Sequence, residues 1–477
     1  MKHDTYENPL ISRYASKEMS EIFSDDKKFG LWRSLWIALA ESEKELGLPI
    51  TQRQIDEMKK YRNDINYEVA QAREKEVRHD VMSHVFAFGT QAKEAMPIIH
   101  LGATSCFVTD NAEILILKEA LELIKAKLVA VMQKLKKFAL EYKDMPALGF
   151  THLQPAQLTT VGKRASLWLQ DLLMDYENLE HLLRTVKLRG VKGTTGTQAS
   201  FLSLFEGDGD KVDKLEKLVT EKMGLEKSYG VTGQTYPRKF DYNVTAVLSM
   251  IAQSAYKFAG DLRVLQNMKE MEEPFEKSQI GSSAMAYKRN PMRSERMCAL
   301  ARFVVSTPVN EAMTACTQWF ERTLDDSANK RITLAQAFLA LDGVLNLYNN
   351  ITENMVVYDK IIRKHIMAEL PFMATEEILM ACVKAGGNRQ ELHEKIREHS
   401  MESARLVKTE GKENDLIDRI KADAAFKAIH GKIDGILAPE NFTGRAARQT
   451  EKFIAEEIDP VLEANEKYLN ISAQINV

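Results

Sequence analysis

Apolar residues recur along this chain at alternating steps of three and four. Leu117, Leu121, Ile124, Leu128, Val131, Leu135, Phe138 and Tyr142 form one stripe, and Val244, Leu248, Ile251, Ala255, Phe258, Leu262 and Leu265 form a second. A period of 3.6 residues gathers each set on one helix face. Proline and glycine are absent from 103–145, 163–189, 309–342 and 344–370. Nothing there breaks the runs of Ala, Leu, Glu, Lys and Met, so each span predicts a long helix. Asp110 and Asp241 stand where the first two stripes would be N-capped. A helix from 110 to 143 would be ~50 Å long, beyond the diameter of a small domain. It needs partners along most of its length, which predicts a central bundle able to be shared between subunits.

The expected fold class is therefore all-α, in three helical domains. Residues 1–104 form a region of shorter helices that ends near Gly102-Ala103-Thr104-Ser105 and contains His79. Residues 105–357 form the long-helix bundle. Residues 358–477 form a C-terminal helical domain whose charged tail begins near Pro371 and includes Gly386-Gly387 and Gly411. The stretch Lys192–Ser203, rich in Gly, Thr and Ser, reads as a loop or short strands. No sheet, internal repeat or low-complexity tract is apparent. Neither GxGxxG nor GxxxxGK[ST] occurs, so the usual nucleotide-cradling loops are not expected.

Composition narrows the function classes. A chain of 477 residues supplies enough core for two or three domains. A formal net charge of −3 argues against a general nucleic-acid binder, which carries a basic excess. The four cysteines (Cys106, Cys298, Cys316, Cys382) are scattered without a CxxC pair, which suits a reducing cytoplasm. Residues 1–10 lack the apolar stretch of a secretory signal, and no segment approaches the ~20 apolar residues of a membrane span. A metal is not expected either. His393-Glu394 and His399 approach HExxH, but the histidines stand at i, i+6 where i, i+4 is needed to put both on one face.

Four polar islands interrupt the helical pattern, each near an expected helix end: Arg78-His79-Asp80, Thr104-Ser105, Thr151-His152-Leu153-Gln154-Pro155 and the stretch from Gly281 to Pro291. Element ends present side chains and free N–H groups to a shared cleft. The last island, Gly-Ser-Ser-Ala-Met-Ala-Tyr-Lys-Arg-Asn-Pro, crowds small residues, two hydroxyls, a cation and an amide into one loop that could close over an anion. It runs into a predicted helix with Asn290 as N-cap, Pro291 at the first position and Met297, Leu300, Ala301 and Val304 on the apolar face. Further on, Glu321–Arg331 leads into another helix. If Asp325 or Asp326 caps it, Ser327 and Arg331 share a face near its N-terminus. Free N–H groups, a hydroxyl and a guanidinium suit a phosphate there; a capped helix with exposed salt bridges accounts for the same residues.

The loop from Gly281 resembles the signature loop of the fumarase/aspartase superfamily, whose usual form is GSSxMPxKxNP. Its continuation Met292-Arg293-Ser294-Glu295-Arg296 is similar to the adenylosuccinate lyase family. The same family is matched, in order, by Ser12-Arg13-Tyr14-Ala15-Ser16, RHDVMSHV from Arg78, HLGATS from His100, THLQPAQLTTVGKR from Thr151, KGTTGTQASF from Lys192, TGQTY from Thr232 and ERTLDDSAN from Glu321. The resemblance covers nearly the whole chain. It implies a helical homotetramer with a four-subunit bundle and active sites built from three chains. It implies release of fumarate from adenylosuccinate to give AMP, and from SAICAR to give AICAR, with no cofactor and with small molecules as the only ligands.

By the same resemblance, Ser282 is the base that takes the C–H proton and His152 the acid that protonates the leaving nitrogen. Lys288, Asn290, Thr104 and Ser105 clamp the succinyl carboxylates, and Gln234 contacts the succinyl part. His79 orients the substrate and supports His152, with Arg78 and Asp80 beside it. Arg13, Tyr14, Arg296, Arg322, Ser327 and Arg331 recognise the nucleotide. Serine is a poor base in water, so closure of the loop must desolvate it. One departure is Ala286, which stands where most members have proline and leaves the loop backbone looser. Two alternatives stay open: another lyase of the superfamily, such as argininosuccinate lyase or fumarase, and a helical protein without catalysis.

Overall fold

The computed structural model describes residues 4–276 and 279–469. Seven helices position the site: α1 (Asp25–Glu45), α2 (Asp80–Gln91), α3 (Ser105–Glu141), α4 (Val161–Thr185), α5 (Lys239–Asn267), α6 (Met292–Ser306) and α7 (Asp326–Glu353). The 37 residues of α3 span ~55 Å. It packs on α4 and α7, while α5 packs on α4, α6 and α7, making the expected bundle. The stripe Leu117–Phe138 and the stripe Val244–Leu265 are both buried in it.

Two apolar cores are present. The first joins α1 and the helices that follow it to the start of α3 through Trp32, Trp36, Phe88 and Phe107. The second fills the bundle and continues without a break to Leu462. The N-terminal segment docks on the bundle at a close approach. Leu10–Tyr14 form a π-helical turn, and a Cβ on Gly343 of α7 would lie 3.1 Å from the Tyr14 carbonyl oxygen. Beside it, buried Asp342 accepts the Ser16 N–H at 2.6 Å and pairs with Lys127. Arg13 and Tyr14 are thereby fixed by a charge buried in the bundle.

The structure corrects several expectations. Asp110 and Asp241 are not caps: α3 starts at Ser105 and α5 at Lys239, and both aspartates lie inside, buried and paired with cations. An acidic residue near a helix start satisfies the capping pattern and the interior ion pair equally well, and tertiary packing selects the second. The span 309–342 is not one helix. It divides into Pro308–Cys316, an irregular stretch, and α7, which runs through Gly343. The span 344–370 divides likewise between α7 and a helix from Asp359 to Met373. Asn290 is not the N-cap of α6; Pro291 holds that position, and the Asn290 amide donates to the Gly281 carbonyl at 2.7 Å. The Lys192–Ser203 segment is a loop followed by the short helix Ala199–Leu204.

Strands also occur where none were expected. β1 (Pro146–Thr151) and β2 (Gln154–Thr160) form an antiparallel hairpin. His152 and Leu153 are its two-residue turn, with φ of 55° and 56°. Two positive φ values are what a type I′ turn requires, usually from Asn or Gly, so neither residue announces this hairpin. A second pair, β3 (Met271–Glu272) and β4 (Val356–Val357), lies at the root of the Gly281 loop.

Candidate active site

The site assembles from element ends. His79 is the N-cap of α2: its Nδ1 accepts the Met82 N–H at 3.3 Å. Its Nε2 faces Ser105 Oγ at 3.4 Å. Ser105 is the first residue of α3, and Thr104 before it makes no side-chain cap bond. The start of α3 therefore lies beside His79, with the Phe107 N–H bonded to the Thr104 carbonyl at 2.8 Å. Arg78 sits in the left-handed region with φ of 55° as it closes the preceding helix, a backbone state that non-glycine residues hold mainly where surroundings demand it. Asp80 meets the Arg331 guanidinium at 3.4 Å.

A second group adjoins it. Arg322 Nη1 donates to Gln234 Oε1 at 2.8 Å and lies 3.1 Å from Cys106 Sγ. Gly233 makes this possible. Its backbone runs so close to Glu321 that a Cβ would lie 2.4 Å from the Glu321 carbonyl oxygen, and the Gln234 N–H donates to that oxygen at 3.0 Å. Burial pushes the Cys106 thiol up to about 11, so the sulfur under Arg322 is a neutral packing group. A cleft of 610 Å³ opens here, lined by Thr194, Thr195, Gln234, Trp319, Arg322 and Leu324. Ser327 and Arg331 follow in the first turns of α7, with Asp325 at the cap position but making no side-chain cap bond. The Ser327 N–H is taken by the Leu324 carbonyl at 3.1 Å, so an anion there would meet the other N–H groups of the first turn.

The loop Gly281–Asn290 has a closed neck. The Asn290 amide bonds the Gly281 carbonyl, and a Cβ on Gly281 would fall 2.2 Å from the Lys288 carbonyl oxygen. The base of the neck is fixed from outside: Gln266 donates to the Arg289 carbonyl at 3.0 Å, Arg289 meets Glu272 at 3.5 Å, and Glu273 accepts the Arg293 and Ser294 N–H groups. Glu273 thus does the capping expected of Asn290. Ser282 Oγ accepts the Met285 N–H at 3.1 Å and the Ala284 N–H at 3.4 Å. Two backbone donors aimed at a hydroxyl oxygen stabilise negative charge on it. Lys288 is exposed on the same loop.

Within one chain these parts stay apart. His79, Ser105, Asp80 and Arg331 gather, and so do Gln234 and Arg322. Tyr14 and Arg296 form another pair, with the guanidinium 6.0 Å from the ring centre; Arg13 is exposed beside them. His152 is exposed at the hairpin tip. Among the described residues, no hydrogen bond or ion pair links His152, Ser282 and His79 to one another. Sequence reasoning missed Lys28 of α1. Its ammonium lies over Phe29 and Trp32, and burial, then the charge of Arg331, hold it below the ordinary lysine range. It also passed over Cys106, whose neighbour Ser105 was the only signal. Among the described residues there is no group of three His, Cys, Asp or Glu side chains able to hold a metal, and no helix is long and apolar enough to cross a membrane.

A family model described as Lyase matches residues 13–306, and one described as Adenylosuccinate lyase C-terminus matches residues 371–453. Among solved structures, the chain is similar to the 3-carboxy-cis,cis-muconate lactonizing enzyme of Pseudomonas putida, with a TM-score of 0.80 and 22% identity over 95% of this chain and 99% of that one. It is similar also to a fumarate lyase from Mesorhizobium sp. BNC1, with a TM-score of 0.77 and 21% identity over 95% and 100%. These similarities show the shared lyase fold. Curated relatives go further. The adenylosuccinate lyase of Saccharomyces cerevisiae is 55% identical, covering 98% of both chains, and that of Schizosaccharomyces pombe is 52% identical, covering 96% of both. The chain belongs to the adenylosuccinate lyase family.

Proposed function

We propose that this enzyme eliminates fumarate from adenylosuccinate to give AMP, and from SAICAR to give AICAR, within purine nucleotide synthesis. The observation that carries the reading is the junction of Arg322 with Gln234 at 2.8 Å. It sets a helix start suited to phosphate, with Ser327 and Arg331, beside the end of α3 that carries Thr104 and Ser105. A nucleotide joined to a small dicarboxylate needs those two sites adjacent.

In the proposed mechanism, Ser282 removes the proton from the succinyl carbon next to a carboxylate. The electron pair moves into that carboxylate as an aci-form, then forms the carbon–carbon double bond as the C–N bond breaks. His152 gives a proton to the departing nitrogen, leaving fumarate and the nucleotide. Lys288, Asn290, Thr104 and Ser105 hold the carboxylates, where donors are typically worth ~10²–10³ in rate each. His79 orients the substrate, with Arg78 and Asp80 beside it. Arg13, Tyr14, Arg296, Arg322, Ser327 and Arg331 hold the nucleotide. Ser282 becomes a competent base when the loop excludes water and its two N–H donors stabilise the alkoxide.

The lack, among the described residues, of any hydrogen bond or ion pair joining His152, Ser282 and His79 of one chain supports a homotetramer whose sites combine residues of three subunits. Exposed apolar side chains on the bundle, such as Leu167 and Met174 of α4, Met250 and Val264 of α5 and Met313 after α6, support burial against further copies. The domain division at 104 and 357, and a cytoplasmic location, belong to the same proposal. Parallel spectrophotometric assays with adenylosuccinate, argininosuccinate and fumarate test it. Turnover of adenylosuccinate is expected. Turnover of argininosuccinate alone would reassign the enzyme within the superfamily, and inactivity on all three would favour a structural role.

A further inference from the structure

We propose that Arg238, outside the substrate-contacting set, is a positioning residue that holds the phosphate-binding start of α7 against the succinyl-binding side of the site. The proposal rests on the reading of Arg322, Ser327 and Arg331 given above. Arg238 is the last residue before α5 and is buried. Its Nε donates to Asp326 Oδ2 at 2.7 Å, and its Nη1 and Nη2 donate to Asp110 Oδ2 and Oδ1 at 3.1 and 3.3 Å. The guanidinium carbon packs 4.4 Å from the centre of the Tyr236 ring. Asp110 in turn accepts the Tyr236 N–H at 2.9 Å.

One guanidinium therefore joins three elements, and each carries part of the site a few residues away. Asp110 lies five residues beyond Ser105 on α3. Tyr236 and Arg238 follow Gln234. Asp326 is the first residue of α7, between Arg322 and the pair Ser327 and Arg331. A fork of donors fixed in a plane sets the angle between two carboxylates as well as their separation. Arg238 has an electrostatic task too. Asp326 stands at the helix N-terminus where a phosphate would bind, and an uncompensated carboxylate there would repel it and compete for the same N–H groups. Pairing with Arg238, which it shares with Asp110, turns Asp326 inward and offsets part of its charge.

The rest of α7 does not depend on this link. Leu334, Ala337, Phe338 and Leu341 bury it in the bundle. Lys330 ties the same turn from its other side, through the Tyr236 hydroxyl at 2.9 Å and Asp241 at 3.2 Å. Loss of the fork should shift the helix start without unpacking the helix, and small misplacements of binding groups have large effects.

The test uses full-length Arg238→Lys and Arg238→Gln with Arg331→Ala as a reference, measuring AMP affinity by calorimetry, the inhibition constant for fumarate, kcat and KM for adenylosuccinate, and thermal unfolding. Lysine keeps the charge and loses the fork, so Arg238→Lys should weaken AMP binding and raise KM by roughly tenfold or more, with a smaller change for fumarate and in kcat. Arg238→Gln should weaken AMP binding further. AMP affinity within twofold of wild type in Arg238→Lys overturns the proposal whatever happens to unfolding, as does equal loss for AMP and fumarate, which marks general distortion. Unchanged AMP affinity in Arg331→Ala strikes instead at the phosphate-site reading, and is read separately.

Discussion

Arg322 Nη1 donates to Gln234 Oε1 at 2.8 Å, across a contact that only glycine at position 233 permits. Gln234→Ala leaves Arg322 beside the Cys106 thiol with no oxygen acceptor. Hydrogen bonds to charged groups are worth about 1.5–3 kcal/mol, so KM for adenylosuccinate should rise roughly 10- to 100-fold. Steady-state kinetics with AMP as competitor measure this; an unchanged KM separates Arg322 from nucleotide binding.

Ser282 Oγ accepts two backbone N–H groups, from Ala284 and Met285. Ser282→Ala removes the oxygen that takes the proton yet touches no core, so the protein should fold and assemble as wild type while turnover disappears. Wild-type-like kinetics in the variant would reject Ser282 as the base.

Gly281 closes the neck of the loop. A Cβ there would lie 2.2 Å from the Lys288 carbonyl oxygen and 3.1 Å from the Arg289 Cα, so Gly281→Ala must open the neck. Misplacing Ser282 and Lys288 together should lower kcat/KM by ~10²-fold or more, with no loss in unfolding temperature because the loop is exposed. Full activity in this variant would show that closure of the loop tolerates an open neck.

His152 sits exposed on a turn whose two residues both have positive φ. His152→Ala should leave stability within about 0.5 kcal/mol of wild type and lower kcat by ~10²–10⁴-fold, the usual range for loss of a general acid. A fall in kcat that merely tracks a fall in unfolding temperature would count against the acid role.

Glu43 of α1 is fully buried, and neither carboxyl oxygen has a hydrogen-bond partner. Burial pushes it up to about 9. Its folded-state pKa is raised, so between its unfolded pKa near 4.5 and about 9 the folded state holds a proton that the unfolded state has released. Stability must therefore fall as pH rises through that window. Glu43→Met removes the group, and its unfolding temperature should exceed that of wild type at pH 8, by the equivalent of about 2 kcal/mol or more, and by less at pH 6. Parallel pH dependence in the two proteins would contradict a buried, protonated Glu43.

The long helices were legible because their causes are local. Stripes such as Leu117–Phe138 and the absence of proline and glycine act through neighbours a turn away, and α3, α4 and α5 follow them closely. Of the candidate site residues, His79 and Ser105 come together, as do Gln234 and Arg322, since each pair stands where the apolar pattern is interrupted. Asp110, Asp241 and Asn290 misled because their short polar side chains suit a cap as well as an interior pair. The hairpin at His152 was hidden by a turn made without glycine.

The sequence alone determined that the long central segments are helical and which chemical groups stand near their ends, since short-range sterics and periodic burial decide these; it did not determine where the caps fall or where the spans 309–342 and 344–370 break. Only the tertiary structure decided that Arg238 bridges Asp110 and Asp326, that Gly233 lies against Glu321 and that Asn290 locks the neck of its own loop. Each joins residues far apart in the chain or fixes a distance of a few tenths of an ångström, and such contacts depend on how whole helices pack rather than on any local preference.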